Sequence, residues 1–151
     1  MNEMEYAGFW IRVLASLIDT LLVGVIILPI MYLIYGPGYW GSASIAQGFW
    51  DVVFNYLLPA LAVIVFWTYR SATPGKMITG LSIVDANSGG KPTTMQFVVR
   101  YLGYYVSMLP LFLGFLWVAI DKRKQGLHDK IARTLVIKRS AVVSGAPDQE
   151  P

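Results

Sequence analysis

The chain contains no cysteine, one histidine and few charges, with only 14% of its 151 residues being Asp, Glu, Lys or Arg. A soluble domain carries about 25% charged residues, so the charge is roughly half of what a water-facing surface needs. Without cysteine there is no disulfide framework, no thiolate nucleophile and no cysteine-based metal site. One histidine does not assemble a metal centre alone, and three scattered carboxylates, Asp19, Asp121 and Asp129, fall short of the oxygen set that hard cations gather. No serine stands in a nucleophile-elbow motif. The expectation is therefore a non-enzyme with no cofactor and no bound metal.

Apolar residues are what the chain has in abundance: 56% are hydrophobic and 14% aromatic, and the mean hydropathy is +0.55. So many aromatics exclude a solvated, disordered chain. The composition points to a lipid bilayer. A net charge of +3 next to apolar spans reads as the basic bias of cytoplasmic loops, with no call for nucleic acid.

About 20 mainly apolar residues are needed to cross roughly 30 Å of hydrocarbon at about 1.5 Å per residue. Residues 9–35 and 52–69 meet this requirement, and residues 97–120 nearly do, with Arg100 near the start and Pro110 in the middle. The first stretch reads as a span rather than a cleaved leader, because no basic segment precedes it and no small-residue cleavage site follows. Residues 36–48 carry no charge. Seven basic residues follow Ile120: Lys122, Arg123, Lys124, Lys130, Arg133, Lys138 and Arg139. Lys and Arg gather in cytoplasmic loops, which places the first loop outside and the N-terminus and second loop inside.

Three simple crossings would leave the basic tail on the wrong side. Residues 81–84 (Leu-Ser-Ile-Val) and 134–138 (Thr-Leu-Val-Ile-Lys) read as short β-branched strands, and turn residues follow the first of them from Asp85 to Gly90. Unpaired strands next to a bilayer leave backbone groups unsatisfied, so the two are expected to pair on one side. Residues 97–120 then form two short helices bent at Pro110. The expected fold is an all-α integral membrane protein: a four-helix bundle of two long spans plus a short helical hairpin, with a small cytoplasmic two-stranded sheet. Three simple spans remain the alternative. Residues 6–139 form one domain, and residues 140–151 read as a disordered tail.

Ionisable residues within apolar spans mark functional sites. Arg12 and Asp19 lie seven residues apart, about two helical turns and about 10.5 Å along the axis, so they share a face. Ala15 and Ser16 lie between them on that stripe and are small enough to admit another helix or a water. A charge near the bilayer centre costs roughly 2.5–3.5 kcal/mol, so Asp19 needs a partner, and Arg12 is the expected one.

The segment Gly8-Phe9-Trp10-Ile11-Arg12-Val13-Leu14-Ala15-Ser16-Leu17-Ile18-Asp19 resembles the opening of the RDD family of bacterial membrane proteins. That family is named for one arginine and two aspartates. Thr73-Pro74-Gly75-Lys76, the segment from Gly80 to Asp85 and the segment from Asp121 to Ala132 are similar to its later blocks. The resemblance covers roughly residues 6–139. It implies a polytopic membrane protein, often described as a possible transporter, with Arg12 and Asp19 as two of the signature residues. Asp129 is the choice for the second aspartate, with Asp121 as the alternative. On this resemblance Arg12, Asp19 and Asp129 form the functional charged cluster, supported by Ser16, Asp121 and His128.

The Thr-Pro-Gly-Lys block is no phosphate loop, since the required glycines are missing. Its turn sits at the membrane surface, where Lys76, like Lys122, Arg123 and Lys124, meets anionic lipid headgroups. Two functions remain open. One is transport of a cation, proton or small ligand by a homo-oligomer in the cell (inner) membrane, with both termini cytoplasmic. The other is a non-catalytic adaptor or scaffold whose Arg/Asp cluster is structural.

Overall fold

The structure, a computed structural model, describes residues 4–139; the tail expected to be disordered, 140–151, lies outside the described residues. It is mostly helical. Helix α1 (Phe9–Tyr35) is followed by a 3₁₀ turn (Pro37–Gly41) and the short α2 (Phe49–Val52). A π turn (Val53–Leu57) leads into α3 (Leu58–Arg70), and α4 (Pro74–Ile78) precedes strand β1 (Leu81–Asp85). Helices α5 (Thr94–Met108), α6 (Leu113–Ile120) and α7 (Leu127–Ala132) then lead to β2 (Thr134–Lys138).

Two stretches, Phe9–Tyr35 and Phe49–Ile78, are long and apolar enough to cross a membrane. Large apolar side chains on them face outward, Val25 at 74% exposure and Leu33 at 83% among them. In water such a surface is an aggregation liability; in lipid it is the solvated face. The π turn has a local cause. Pro59 has no N–H for the carbonyl of Asn55, and the helical ladder shifts register just before it.

Helices α5 and α6 are long and apolar enough for a span only together, and they form a pair bent by 102°. The break holds Pro110 and leaves Leu111 and Phe112 in the left-handed region, at φ 50° and 63°. This is the position expected for the bend, but the change of direction is nearer a right angle than the full reversal of a tight hairpin.

The two expected strands pair antiparallel, with Ser82 opposite Ile137, Ile83 opposite Val136 and Val84 opposite Leu135. The N-terminal segment joins them: Ala7 N–H donates to Val136 O at 2.9 Å and Lys138 N–H to Glu5 O at 2.9 Å. The turn after β1 is closed by Asp85, whose carboxylate accepts from Ser88 N and Asn87 N, each at 2.8 Å, and from Gln96 Nε2 at 2.6 Å. These donors, Ser88 first, hold the Asp85 carboxyl at about 2. Thr93 and Gln96 cap α5 reciprocally.

The main core lies where the sheet meets the helices. Ala7, Ala15, Trp67, Leu81, Ile83, Phe97 and Val136 are fully buried there. The opposite end is organised by Asp51, which accepts from Tyr39 Oη at 2.6 Å, Gln47 N at 2.8 Å and Asn55 Nδ2 at 2.5 Å.

Candidate functional site

Asp129 stands on the first turn of α7, is 0% exposed, and accepts hydrogen bonds on both carboxylate oxygens. Oδ2 takes Arg12 Nη1 at 2.6 Å and the backbone N–H of Gly126 at 2.9 Å. Oδ1 takes Arg100 Nη1. Arg12 also donates from Nε to Ala7 O at 3.1 Å and from Nη2 to Lys124 O at 2.5 Å. It thereby ties the N-terminal segment, the α6–α7 loop and α7 to the start of α1. Arg100, 1% exposed, donates to Thr134 Oγ1 at 2.7 Å at the start of β2. Its guanidinium lies 5.5 Å from the ring centroid of Trp67 and 5.8 Å from that of Tyr104, within cation–π range.

Burial alone raises a carboxyl's pKa; here the Arg100 and Arg12 charges and the Gly126 N–H outweigh it and hold Asp129 well below the usual range. Asp129 is an anion at any physiological pH. The arrangement is an Arg–Asp–Arg clasp, of the kind that fixes packing rather than one that takes up protons.

The expected pairing of Arg12 with Asp19 does not form. Asp19 accepts instead from Thr73 Oγ1 at 2.5 Å and from the backbone N–H of Gly75 at 2.7 Å. The Thr-Pro-Gly segment therefore grips α1 by way of Asp19. Gly75 is required by this approach, because a Cβ there would meet the Ala15 carbonyl at 2.1 Å and the Asp19 carboxylate carbon at 2.8 Å. The two residues share a helix face, as their spacing implies. Two turns of separation let each find a nearer partner from another segment.

His128 is buried against Tyr104 and Phe115, with ring centroids 4.5 and 5.1 Å away. Its Nδ1 lies 3.3 Å from Ser107 Oγ and its Nε2 3.6 Å from Asp129 Oδ2. Gly103 lets α7 come this close to α5, since a Cβ there would sit 3.0 Å from His128 Cα. Burial, together with the Arg100, Arg12 and Lys76 charges, pushes His128 down to about 3 against the opposing pull of Asp129. It is neutral at neutral pH.

Asp121 stands apart from the clasp. It pairs with Lys130 at 2.6 Å and accepts from Arg123 N and Gln125 N. Burial pushes its carboxyl up, but the Lys130 hydrogen bond and these N–H groups bring it below the usual range. Among the expected lipid-facing cations, Lys122 is exposed. Arg123 donates to Ala86 O at 2.8 Å and Lys124 Nζ to Ala119 O at 3.2 Å. Lys76 departs from expectation: it is only 6% exposed. It lines a cavity of about 620 Å³ whose wall also includes Arg12, Ser16, Asp19, Arg100 and His128. Arg100, Thr134 and Trp67 were not expected at the site. Arg100 carried a usable signal, being another charge inside an apolar stretch.

Two outcomes follow from this geometry. Arg100→Ala with Asp129→Asn should be non-additive in unfolding free energy by about 0.5–3 kcal/mol, whereas Arg12→Ala with Asp19→Asn should add to within about 0.5 kcal/mol. Coupling between Arg12 and Asp19 as strong as that between Arg100 and Asp129 would contradict the partner assignment. The second outcome concerns acid stability. An unfolded chain protonates His128 near pH 6.5 and the native one only at about 3. Protons thus bind the unfolded state preferentially between these values, and stability should fall with pH from about 6.5 downward, by at most about 1.4 kcal/mol per unit. Melting in detergent from pH 6.5 to 4.5 should show this slope, and His128→Gln should flatten it; equal slopes in the two proteins would refute the buried neutral state.

Residues 6–133 match the RDD family. The uncharacterized protein YckC of Bacillus subtilis is 34% identical over 140 residues, covering 90% of this chain and 87% of that protein. The uncharacterized membrane protein YteJ of the same organism is 30% identical over 138 residues, covering 87% and 80%. An uncharacterized protein of Rickettsia prowazekii is 35% identical over 94 residues, 58% of this chain; the matched region spans about half (52%) of that relative's length. No solved structure matches significantly. These relatives indicate no catalytic activity. With its apolar helices, its buried Arg12 and Asp129 in blocks similar to the family's and a match over most of its length, the chain belongs to the RDD family of membrane proteins.

Proposed function

We propose that this protein is a multi-pass carrier of a small ligand in the cell (inner) membrane, with both terminal segments in the cytoplasm. The observation that carries this reading is the cavity of about 620 Å³ among α1, α3, α5 and α6. Its volume falls in the range of small-molecule sites, about 300–1,000 Å³. Val13, Val63, Met108 and Leu116 contribute apolar wall, and Arg12, Lys76 and Arg100 contribute charge.

Of the three cargoes in view, the small ligand fits best. A transported cation or proton wants an available carboxylate. Both oxygens of Asp19 and both oxygens of Asp129 already accept from protein donors. The charged lining is cationic on balance, which disfavours a cation further.

The topology rests on backbone pairing and charge. The segment Glu5–Ala7, β1 and β2 hydrogen-bond to one another, so an even number of crossings separates each from the next. The two long spans supply two crossings before β1. Helices α5 and α6, about 22 and 12 Å long at about 1.5 Å per residue, then enter and leave on the same face, completing four helices. The basic residues around β2 make that face cytoplasmic. Assembly as a homo-oligomer belongs to this reading, since the cavity is partly open and a second copy would close its flank.

The adaptor reading has one observation in its favour: both oxygens of Asp129 are taken, and the clasp holds chain segments together as a scaffold does. Native mass spectrometry separates the two readings. Wild-type protein released from membranes should retain a discrete bound species that Val63→Trp, which fills the cavity, loses while keeping its fold. Identical spectra for the two, with no retained species, would favour the adaptor; sodium or proton flux in proteoliposomes above protein-free controls would favour the cation branch.

A further inference from the structure

Three groups in the cavity wall are hydrogen-bond donors without acceptors. Trp67 Nε1 and Arg100 Nε are both buried and have no partner among the described residues. Lys76 is 6% exposed, yet its Nζ makes no hydrogen bond and has no carboxylate within 4 Å among the described residues. All three residues line the one cavity, and Arg100 lies against the Trp67 ring. Buried polar groups are almost always satisfied, and an ammonium turned toward a largely apolar cavity without a counter-charge is costly. The local charge points the same way. Among the described residues, Arg12, Arg100 and Lys76 face only Asp19 and Asp129, which leaves one positive charge unbalanced. An oxyanion answers both deficits at once, because its oxygens accept from Lys76, Arg100 and Trp67 while its charge neutralises the wall.

The remainder of the cavity selects for a second property. Away from these donors the wall is apolar, formed by Val63, Met108, Phe112, Phe115 and Leu116. A small hydrated anion would leave that wall against water. An anion with a hydrocarbon body covers it and loses contact with water in doing so, worth about 25 cal/mol per Å² of apolar area.

We infer that the cavity binds an amphipathic oxyanion, its phosphate or carboxylate head held by Lys76, Arg100 and Trp67 and its hydrocarbon body lying along α3, α5 and α6. This rests on the reading of the cavity as a ligand site and adds the class of ligand. The head chemistry is shared by a membrane lipid and by free phosphate, and the experiment distinguishes them.

Trp67 is 0% exposed, whereas Trp10, Trp40, Trp50 and Trp117 are about half exposed or more, so replacing those four by Phe leaves a single buried reporter in the cavity wall. This protein is placed in phosphatidylcholine nanodiscs doped with brominated phosphatidic acid or with brominated diacylglycerol, which has the same chains and no anionic head. Bromine quenches tryptophan at short range. Quenching of Trp67 severalfold stronger by the phosphatidic acid, reduced to the diacylglycerol level in Lys76→Gln, supports a lipid oxyanion. A shift of Trp67 emission on adding inorganic phosphate, lost in Lys76→Gln and without quenching by either lipid, supports the oxyanion head but overturns the hydrocarbon body. Equal quenching by both lipids overturns the oxyanion while leaving the cavity a ligand site. No response of Trp67 to any of the three overturns the inference and the ligand-site reading together.

Discussion

A single buried carboxylate, Asp129, organises the end of this protein that carries the two-stranded sheet. Two arginines from helices far apart in sequence, Arg12 on α1 and Arg100 on α5, converge on it. Each arginine also reaches a different segment: Arg12 donates from Nε to Ala7 O and from Nη2 to Lys124 O, and Arg100 donates from the same Nη1 to Thr134 Oγ1. An ion pair buried this deeply contributes little net stability against an apolar replacement, because desolvation offsets most of the attraction. What it supplies is register. An arginine with five donors in a fixed fork accepts few alternative arrangements, and the clasp selects the one in which strand, helix and N-terminal segment meet.

The second polar contact, Asp19 with Thr73 and Gly75, does comparable work one layer deeper. It joins α1 to the turn after α3 without spending a cation. Lys76, the next residue in that turn, is therefore left facing the cavity with its charge unpaired among the described residues. The two aspartates thus divide their roles: one gathers the arginines, and the other places a lysine beside an apolar space.

Much of this architecture was legible in the sequence. Long apolar runs announce the two spans, because a bilayer demands length and hydropathy from consecutive residues. The strand pair could be inferred because isolated β-branched segments leave backbone groups unsatisfied, and the bend at Pro110 because proline removes a helical hydrogen bond. The charged contacts were less legible. Helical periodicity placed Arg12 and Asp19 on one face correctly, but their partners come from residues 54 to 117 positions away, beyond the reach of any local pattern. Lys76 looked like a surface lysine because nothing local reveals that α1 packs over its turn at Gly75. The cavity was invisible, being made of space among four helices.

The central claim is that Asp129 holds the N-terminal segment, both strands and the α7 turn as one cooperative unit. Hydrogen exchange measured on Asp129→Asn beside the wild type tests it most directly. The account predicts that amides in Glu5–Ala7, β1, β2 and α7 lose protection together and to a similar degree, while the centre of α1 is unchanged. Faster exchange confined to Leu127–Ala132, with both strands still protected, would contradict it.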